Sequence, residues 1–407
     1  MRYLVLGASA ASVSCAKTLR ELDENAKITV VSKDTDIYSR CMLHHIISDH
    51  KTLEELNFAG KDFFKEYDIN WISGVYVEQI DTINKKVLVE DNIELDYDKL
   101  FIGTGASSFI PPIENLRQAN NVYGLRNIGD AYKIKEKIKN IKNVAVLGAG
   151  LVGIDAVSGM LDKNINISLV EMNDRILPLQ LDSKASSRYE ELFKQKGVNI
   201  YKGVKATKVN LKDNNVAGLY LDNGEIIDCE MIIVAAGVRP NISFIKDNTI
   251  NIDMGICINS KCETNVEDIY SGGDVTASTP IWPIAVKQGI VAAYNMVSKD
   301  REIESLFSFR NSMNFLGLDT VSIGLVDALD NTYSVDIIED KDIYKKIIHK
   351  DGVIYGALLQ GDISYCGVLK HLISEKIDIS GIDKNIFEID YSDFFYLKEN
   401  GEYEYKI

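Results

Sequence analysis

The feature that most constrains this chain is a glycine-rich turn near its middle. Residues 144–147 are apolar and predict a buried strand, after which Gly148, Gly150 and Gly153 follow with Gly-x-Gly-x-x-Gly spacing. The three glycines serve, in order, a tight turn, close backbone approach to a pyrophosphate, and packing of a helix on the strand. The free N–H groups at the start of that helix bind phosphate oxygens. The sequence therefore predicts a dinucleotide-binding unit.

An acidic residue completes this unit. Glu171 ends the next predicted strand, about 20 residues after the turn, where a carboxylate accepts hydrogen bonds from ribose hydroxyls. Val152 and Asp155, in the first turns of the intervening helix, are further candidate cofactor-binding residues. The alternative, a plain strand–helix turn, is disfavoured because the apolar strand and the acid supply the context that a glycine string alone lacks.

The chain opens with a second copy of the same arrangement. Residues 2–6 predict a short apolar strand, Gly7 begins the turn, residues up to 22 have helical spacing, and residues 27–31 predict the next strand. Two such units in one polypeptide indicate two bound nucleotides.

This first copy is imperfect. Ser9 and Ser12 stand where the second and third glycines are expected, and Ser32 stands where the ribose-binding acid is expected. Small side chains still allow close approach, and a serine hydroxyl can accept a hydrogen bond, but it lacks the charge that strengthens the usual contact. Taken alone, this segment fits a plain βαβ element about equally well.

Length and charge bound the remaining possibilities. A chain of 407 residues with 46% hydrophobic content is long enough for two or three domains. With 60 acidic and 45 basic residues, its formal charge of −15 disfavours nucleic acids and anionic membrane surfaces, and it repels an acidic protein partner unless a local basic patch exists. No apolar run approaches the length of a membrane span, and a strand beginning at Arg2 leaves no room for a signal peptide. These features predict a cytoplasmic protein without a membrane partner.

Two extended segments end in glycine. Residues 95–105 form an extended segment that ends at Thr104 and Gly105. The prolines at 111–112 then predict the point at which the chain leaves the first domain. Residues 231–240 have the same form, with Gly237 after an apolar strand, and mark the end of the second nucleotide unit.

A third segment ends in a glycine pair and a carboxylate. Residues 268–275 predict a strand followed by Gly273 and Asp274, and residues 285–297 are helical in pattern. Glycine permits close approach of a ligand, and the carboxylate can accept a hydrogen bond from a polyol. An ordinary turn is the competing interpretation. From residue 307 onward short strands alternate with loops and end in a helix-like stretch at 367–374.

Taken in order, these motifs resemble the pyridine nucleotide–disulfide oxidoreductase superfamily over nearly the whole chain. The resemblance implies an α/β fold with two Rossmann-like dinucleotide-binding domains of the glutathione reductase type and a small α+β C-terminal domain. It assigns residues 1–112 and 242–305 to a discontinuous FAD-binding domain, residues 113–241 to an NAD(H)-binding domain and residues 306–407 to the C-terminal domain.

The resemblance also implies FAD on the first domain, with its ADP half at residues 7–12, its adenine near Val77 and its ribityl chain at Asp274. NADH is expected on the second domain, and NADPH is less favoured because the Glu171 carboxylate prefers a free 2′-hydroxyl. The cofactor-binding residues that it implies are Gly7, Ser9, Ala11, Ser12, Ser32, Lys33, Arg40, Val77, Thr104, Gly105, Gly273, Asp274, Lys287, Gly148, Gly150, Val152, Gly153, Asp155, Glu171 and Gly237.

Within the superfamily, three segments favour one branch. Residues 38–43 are similar to the Tyr-Ser-Lys/Arg-Pro-x-Leu segment of NADH:rubredoxin oxidoreductases and nitrite reductase flavin domains, with Cys41 in place of proline. Residues 281–289 and 351–363 also look like that branch. This implies hydride transfer from NADH to flavin and then electron transfer to rubredoxin, another small redox protein or oxygen. A flavin-bearing subunit of a larger redox complex is an alternative, and a homodimer is compatible with the resemblance.

Cys41 carries a further alternative. CoA-disulfide reductases and related NADH oxidases have one redox-active cysteine at about this place, so Cys41 is a candidate catalytic residue for reduction of a CoA disulfide, polysulfide or peroxide. Its flanking residues do not match those enzymes, and a small apolar filler is the competing interpretation.

The remaining candidates favour structural roles. Cys257 and Cys262 have Cys-x4-Cys spacing but lie in a loop that nothing places beside the flavin. His44, His45 and His50 lack further metal ligands at suitable spacing, so no metal site is expected. The run 133–142 predicts an amphipathic helix with a solvated basic face.

Overall fold

The structure is a computed structural model that describes residues 1–246, 249–277, 281–303 and 310–405. The elements of the first segment are strands β1 (Arg2–Leu6), β2 (Lys27–Ser32), β3 (Asn70–Ser73), β4 (Val77–Asp81), β5 (Lys86–Val89), β6 (Ile93–Asp96), β7 (Lys99–Ile102) and β8 (Ala106–Ser108), with helices α1 (Ala10–Leu22), α2 (His44–Ser48) and α3 (Phe63–Glu66).

The elements of the middle segment are strands β9 (Val122–Gly124), β10 (Asn143–Leu147), β11 (Asn166–Glu171), β12 (Asn199–Lys202), β13 (Ala206–Lys212), β14 (Asn215–Leu221), β15 (Ile226–Ile227), β16 (Met231–Val234), β17 (Val238–Pro240) and β18 (Ile269–Ser271), with helices α4 (Ile128–Lys137), α5 (Leu151–Met160), α6 (Ser183–Gln195) and α7 (Trp282–Met296). The last segment contains strands β19 (Arg310–Phe315), β20 (Leu318–Gly324), β21 (Ser334–Glu339), β22 (Tyr344–Lys350), β23 (Val353–Gln360), β24 (Phe395–Leu397) and β25 (Tyr403–Tyr405), with helix α8 (Cys366–Glu375).

The first sheet is parallel and joins strands that are distant in sequence. Its order within the described residues is β18-β7-β1-β2-β3, so β18 completes a sheet that is otherwise built before residue 103. The last four residues of β1 are all buried, as expected for a strand covered on both faces. Helices α1 and α7 pack together over this sheet, with Leu19 and Ala292 fully buried between them and their surroundings.

The second sheet repeats this architecture. Its described strands have the order β12-β11-β10-β16-β9, and every neighbouring pair is parallel. Helix α5 follows β10 and buries Ile154 and Val157 against the core. Two parallel sheets of Rossmann type confirm the α/β prediction.

The C-terminal segment is an antiparallel sheet with a helix on one face. Its described strands have the order β19-β20-β23-β22-β21, and α8 packs Leu369 and Leu372 on Val321 and Ile347. This arrangement confirms the prediction of a small α+β domain at the C-terminus. The predicted boundary between residues 305 and 306 lies outside the described residues.

A buried polar cluster fixes this C-terminal sheet to α6. The Asp182 carboxylate caps α6 by accepting a hydrogen bond from the Ala185 N–H at 2.9 Å. Its other oxygen lies 2.9 Å from Lys346 Nζ and accepts a 2.6 Å hydrogen bond from the Tyr344 hydroxyl. Because Asp182 and Lys346 are both buried, each charge depends on the other.

The two nucleotide units touch where α2 packs against α5. A Cβ on Gly159 would lie 2.7 Å from the carbonyl oxygen of His44 and 3.2 Å from the His44 Cβ. Only glycine allows this approach, so α5 brings the second unit into direct contact with the segment 38–50 of the first.

Two helices differ from the sequence prediction in their boundaries. Helix α4 begins five residues earlier than the predicted run 133–142, because Asn127 and Asp130 form a capping box at its start. It ends early because a 3₁₀ turn at Ile138–Asn140 leads directly into β10. Helix α7 begins before the predicted residue 285, since Pro283 is compatible with the first turn of a helix.

Within the described parts of the chain, no helix combines the length and the apolar character that crossing a membrane requires.

Candidate functional site

A cavity of about 710 Å³ lies at the carboxyl ends of the first parallel sheet. It gathers residues from turns that are far apart in sequence, as expected for the ligand crevice of an open α/β sheet. The predicted site residues that line it are Gly7, Ser9, Ala11, Ser32, Lys33, Arg40, Cys41, Val77, Thr104, Gly105, Gly273 and Asp274.

The backbone at two of these positions fits close approach of a ligand. Gly7 has φ +105°, and a Cβ there would lie 2.2 Å from the carbonyl oxygen of Gly103. Gly273 has φ +79°, a region that disfavours side chains, and a Cβ there would lie 3.3 Å from the Ala11 Cβ. These observations fit a dinucleotide whose pyrophosphate lies on the turn after β1.

Ser32 lies at the end of β2 and is tied to its neighbours. Its hydroxyl donates a 2.7 Å hydrogen bond to the Asp34 carbonyl and accepts one of 2.9 Å from the Trp71 indole. The Asp34 carboxylate pairs with the Arg40 guanidinium, and both residues line the cavity. Sequence reasoning missed Asp34, although an acid two residues beyond the end of β2 was a usable signal.

Arg126 is the second residue that sequence reasoning missed. Its guanidinium pairs with the Asp274 carboxylate and donates a 2.9 Å hydrogen bond to the Ala106 carbonyl. It therefore holds Asp274 at the cavity wall and neutralises its charge. Arg126 belongs to no motif, so only the fold reveals this role.

Two predicted residues, Ser12 and Lys287, do not line the cavity, and the Thr104 hydroxyl bonds within the protein. Ser12 is buried and donates hydrogen bonds to the carbonyls of Leu6 and Gly103, at 3.2 and 3.4 Å, instead of lining the cavity. Thr104 lines the cavity, while its hydroxyl donates to the Asn241 carbonyl at 2.9 Å. Lys287 is exposed on α7 and is not part of the cavity wall.

Cys41 is in an environment that opposes its ionisation. The surrounding walls remove water from the thiol, and this loss of solvation raises its pKa. The negative charges of Asp155 and Asp274 raise the pKa further, while Arg126 lowers it. A neutral thiol is a weak nucleophile, which opposes the redox-active interpretation of Cys41. Cys41 is also exposed at the cavity wall, which does not fit a buried apolar filler.

The glycine turn of the second unit has the geometry that its motif requires. Gly148 has φ +100°, and a Cβ there would lie 2.5 Å from the Ala235 carbonyl oxygen. A Cβ on Gly153 would lie 1.9 Å from the Gly148 carbonyl oxygen, so α5 packs directly on the turn. Apart from its neighbours in the chain, no atom of the described residues lies within 4 Å of the corresponding position on Gly150, which leaves open space for a pyrophosphate.

Glu171 anchors the loop around this turn. One carboxylate oxygen accepts a 2.7 Å hydrogen bond from the Ala149 N–H. The other accepts hydrogen bonds from the backbone and side-chain nitrogens of Asn173 at 2.9 and 2.7 Å. The carboxylate retains lone pairs for a ribose hydroxyl. Val152 is 40% exposed beside this turn, and Gly237 is exposed at φ +99°.

Asp155 lies one helical turn beyond Val152 and faces the first unit. Its Oδ1 is 3.6 Å from Nδ1 of His44, and it is close enough to raise the pKa of Cys41. Burial raises the pKa of Asp155 itself to about 7. Asp155 thus lies where the two nucleotide units meet.

The histidines and the other cysteines are candidates for metal binding and redox chemistry because of their spacing in the sequence. Across the described ranges, no group of three or more His, Cys, Asp or Glu side chains is arranged to hold a metal ion. Cys257 is exposed whereas Cys262 is buried, and burial raises the pKa of Cys262 to about 12.

Comparison with known proteins agrees with this geometry. Residues 1–289 match the family model described as pyridine nucleotide-disulphide oxidoreductase. The chain belongs to this family. Residues 310–377 match a second model, the rubredoxin NAD+ reductase C-terminal domain. This pyridine nucleotide-disulphide oxidoreductase is therefore an enzyme that uses a flavin and a nicotinamide nucleotide, as its sequence predicted.

Relatives of this oxidoreductase differ in name and length. It is 30% identical over 316 residues to the NADH oxidase of Methanocaldococcus jannaschii, covering 73% of this chain and 70% of that one. It is 26% identical over 404 residues to the assimilatory nitrate reductase electron transfer subunit of Bacillus subtilis, covering 95% of this chain but spanning only 51% of that relative.

A solved structure covers almost the whole oxidoreductase. The NADH:rubredoxin oxidoreductase of Clostridium acetobutylicum is 26% identical, has a TM-score of 0.78, and is matched over 94% of this chain and 97% of that chain.

Proposed function

We propose that this protein is an FAD-dependent enzyme that oxidises NADH and passes the electrons to a small redox protein such as rubredoxin, or to oxygen. The observation that carries this proposal is the cavity, which joins the turn after β1 to Asp274 and Cys41. Asp155 of the NAD-type unit acts electrostatically on Cys41 at the wall of this cavity. When bound, the flavin accepts a hydride and returns electrons one or two at a time. The protein supplies binding, orientation and electrostatics.

In this proposal the first unit, residues 1–112 and 242–305, holds FAD. The N–H groups and open turn at Gly7–Ala11 receive the pyrophosphate, Asp274 accepts a hydrogen bond from the ribityl chain, and Val77 contacts the adenine. The cavity lining includes all of these groups. The Arg126–Asp274 pair must rearrange or share its carboxylate when the ribityl chain binds.

The second unit, residues 113–241, holds the nicotinamide nucleotide. NADH is favoured over NADPH because the Glu171 carboxylate lies at the end of β11, where it would repel a 2′-phosphate. The open space at Gly150 and the exposed Val152 fit a pyrophosphate and the apolar face of a nucleoside.

Because the chain as a whole is negative, an acidic acceptor protein needs a local patch of positive charge at which to dock. Helix α4 offers one, because Lys133 is exposed and also lines the cavity. Lys139 of the same helical segment is exposed, although it is 2.5 Å from Glu136. An acidic carrier that docks at this rim would lie next to the flavin. Six free cysteines fit a reducing cytoplasm, where such carriers operate.

Anaerobic titration of the oxidised protein with dithionite, and then with NADH, tests this proposal through the flavin absorbance. We expect full bleaching after two electrons per FAD, without a long-wavelength thiolate-to-flavin band, and reoxidation by rubredoxin or oxygen. Uptake of four electrons with that band would instead make Cys41 a redox centre and replace the proposal by disulfide or peroxide reduction. Co-purification of a second polypeptide needed for turnover would favour a subunit of a larger complex.

A further inference from the structure

Three histidines form a row that begins at the junction of the two nucleotide units. Nδ1 of His44 is 3.6 Å from the Asp155 carboxylate, and the His44 ring centroid is 4.1 Å from that of His45. The His45 centroid is in turn 6.2 Å from that of His50. We call His44, His45 and His50 the histidine row.

The row runs from a partly buried position to the surface. Only 17% of the His44 side chain is exposed, His45 is half-buried, and His50 is exposed after the end of α2. At its inner end Asp155 acts electrostatically on Cys41, which lines the cavity. The row therefore extends from the neighbourhood of the cavity wall toward solvent.

The nitrogens of the row have unused hydrogen-bonding capacity. Nδ1 of His44 and Nδ1 of His45 are both buried and, within the described part of the chain, neither has a hydrogen-bond partner. A buried nitrogen without a hydrogen-bond partner lowers the stability of the fold, so the presence of two such nitrogens here needs an explanation. A shift of a few tenths of an ångström brings the Asp155 oxygen within hydrogen-bond distance of His44.

We propose that the histidine row conducts protons between Asp155 and solvent. This proposal rests on the proposed function, because oxidation of NADH gives NAD+, one proton and two electrons. One-electron acceptors take only the electrons, so one proton per NADH must leave the site. Asp155 holds that proton on a carboxylate oxygen and passes it to Nδ1 of His44, whose second nitrogen releases a proton toward His45.

The charges around the row keep the rings of His44 and His45 neutral. Burial and the neighbouring histidines lower the pKa of His44 to about 4, while burial, Lys51 and His50 lower the pKa of His45. Both rings are then neutral near pH 7, and a neutral imidazole has one donor and one acceptor nitrogen. From the elements packed alongside, Lys135 of α4 and Lys163 lie within 2.6 Å of the Asp49 carboxylate, which keeps their charges paired beside the outer end of the row.

Stopped-flow measurement of proton release tests the proposal in the holoenzyme. NADH-reduced protein is mixed with ferricyanide in weakly buffered solution, and a pH indicator is compared with the flavin absorbance. In the wild type we expect the proton to appear together with the oxidised flavin. In His44→Phe and His44→Gln proton release should lag by about 100-fold. His371→Phe, which changes a ring on α8 near Tyr391, is the matched control without a lag.

Two further results support or overturn the relay. Free imidazole should restore proton release in His44→Gly. In a separate experiment on flavin-free protein, the Asp155→Asn substitution should change the NMR titration of His44 but not that of His371. If proton release keeps pace with flavin oxidation in both His44→Phe and His44→Gln, and NADH still bleaches the flavin, the relay is wrong but the proposed function stands. Wild-type flavin that NADH does not bleach overturns the proposed function itself.

Discussion

Arg126 and Asp274 are paired across the cavity although they are 148 residues apart in sequence. The pair connects the segment that links the two nucleotide units to the strand end that is expected to hold the ribityl chain. Because the Asp274 carboxylate has lone pairs beyond those used by Arg126, it can accept a ligand hydroxyl while remaining paired.

Asp274→Ala should therefore weaken FAD binding by about tenfold to a hundredfold, the loss expected for one hydrogen bond to a charged group. Flavin retained after gel filtration, followed by reconstitution with FAD, measures this effect. Asp300→Ala, which removes a surface partner of Lys261, is the control and should retain its flavin. Equal flavin content in both variants would contradict the assignment of Asp274.

Glu171→Ala should raise the KM for NADH and narrow the preference for NADH over NADPH by about tenfold, since a carboxylate near the ribose disfavours a phosphate. It also leaves the N–H groups of Ala149 and Asn173 without their acceptor. Glu171→Gln, which keeps one acceptor oxygen, should show a smaller rise in KM. Steady-state kinetics with both nucleotides measures these effects, and an unchanged NADPH to NADH ratio in Glu171→Ala would contradict them.

Cys41 should react slowly with iodoacetamide near neutral pH, because its raised pKa leaves little thiolate. Asp155→Asn removes a charge that raises this pKa and should speed alkylation, whereas Arg126→Gln removes a charge that lowers it and should slow alkylation. Mass spectrometry of the Cys41 peptide against pH measures the rates. The half-buried Cys366 is the internal control, and its rate should not change.

Asp155 should make the folded chain less stable as the pH rises. Its pKa is raised from 3.8 to about 7, so in this interval the folded chain keeps a proton that the unfolded chain has released. Stability from this group therefore falls from pH 3.8 to about 7 and is constant above that value. Asp155→Asn should be more stable than the wild type by about 2 kcal/mol at alkaline pH, after allowance for partial solvent exposure, and equal to it in acid.

Thermal unfolding of flavin-free protein across the pH range measures this difference. Asp162→Asn, an exposed position shortly after α5, is the control and should follow the wild type. A constant difference between Asp155→Asn and the wild type at all pH values would show that ionisation of Asp155 is not its cause.

Lys346→Met should lower the free energy of unfolding by about 3 kcal/mol, because it leaves the buried Asp182 carboxylate without its cation. The neighbouring Lys345 pairs with the more exposed Asp362, so Lys345→Met should cost about 1 kcal/mol or less. Urea denaturation compares the two variants. Equal losses would mean that the buried pair does not hold the C-terminal sheet on α6.

The sequence predicted those parts of the fold that depend on local backbone geometry. Gly7 and Gly148 both adopt positive φ between a strand and a helix, and no other residue type meets that requirement as easily. After their first residues, strands β1 and β10 consist of buried apolar side chains, because both faces of each strand are covered. Their positions could therefore also be predicted from the sequence.

The contacts at the centre of the site were not predictable in this way. Arg126 and Asp34 gain their roles from partners that the fold brings together, and neither belongs to a periodic pattern or a glycine motif. Ser12 differs from these residues because it does belong to a motif. Its position there predicted a cofactor contact, but its hydroxyl donates to two backbone carbonyls. The pairing of His44 with Asp155 likewise depends on how α2 meets α5.

The missing side chain of Gly159 has a consequence for the distance between the two nucleotides. The helix that begins at the NAD-type turn rests here on the backbone of His44, with no room for a methyl group. A single added carbon would act as a wedge, forcing apart the two units that must present their rings to each other. The absence of a Cβ at Gly159 therefore allows the close packing of the two units.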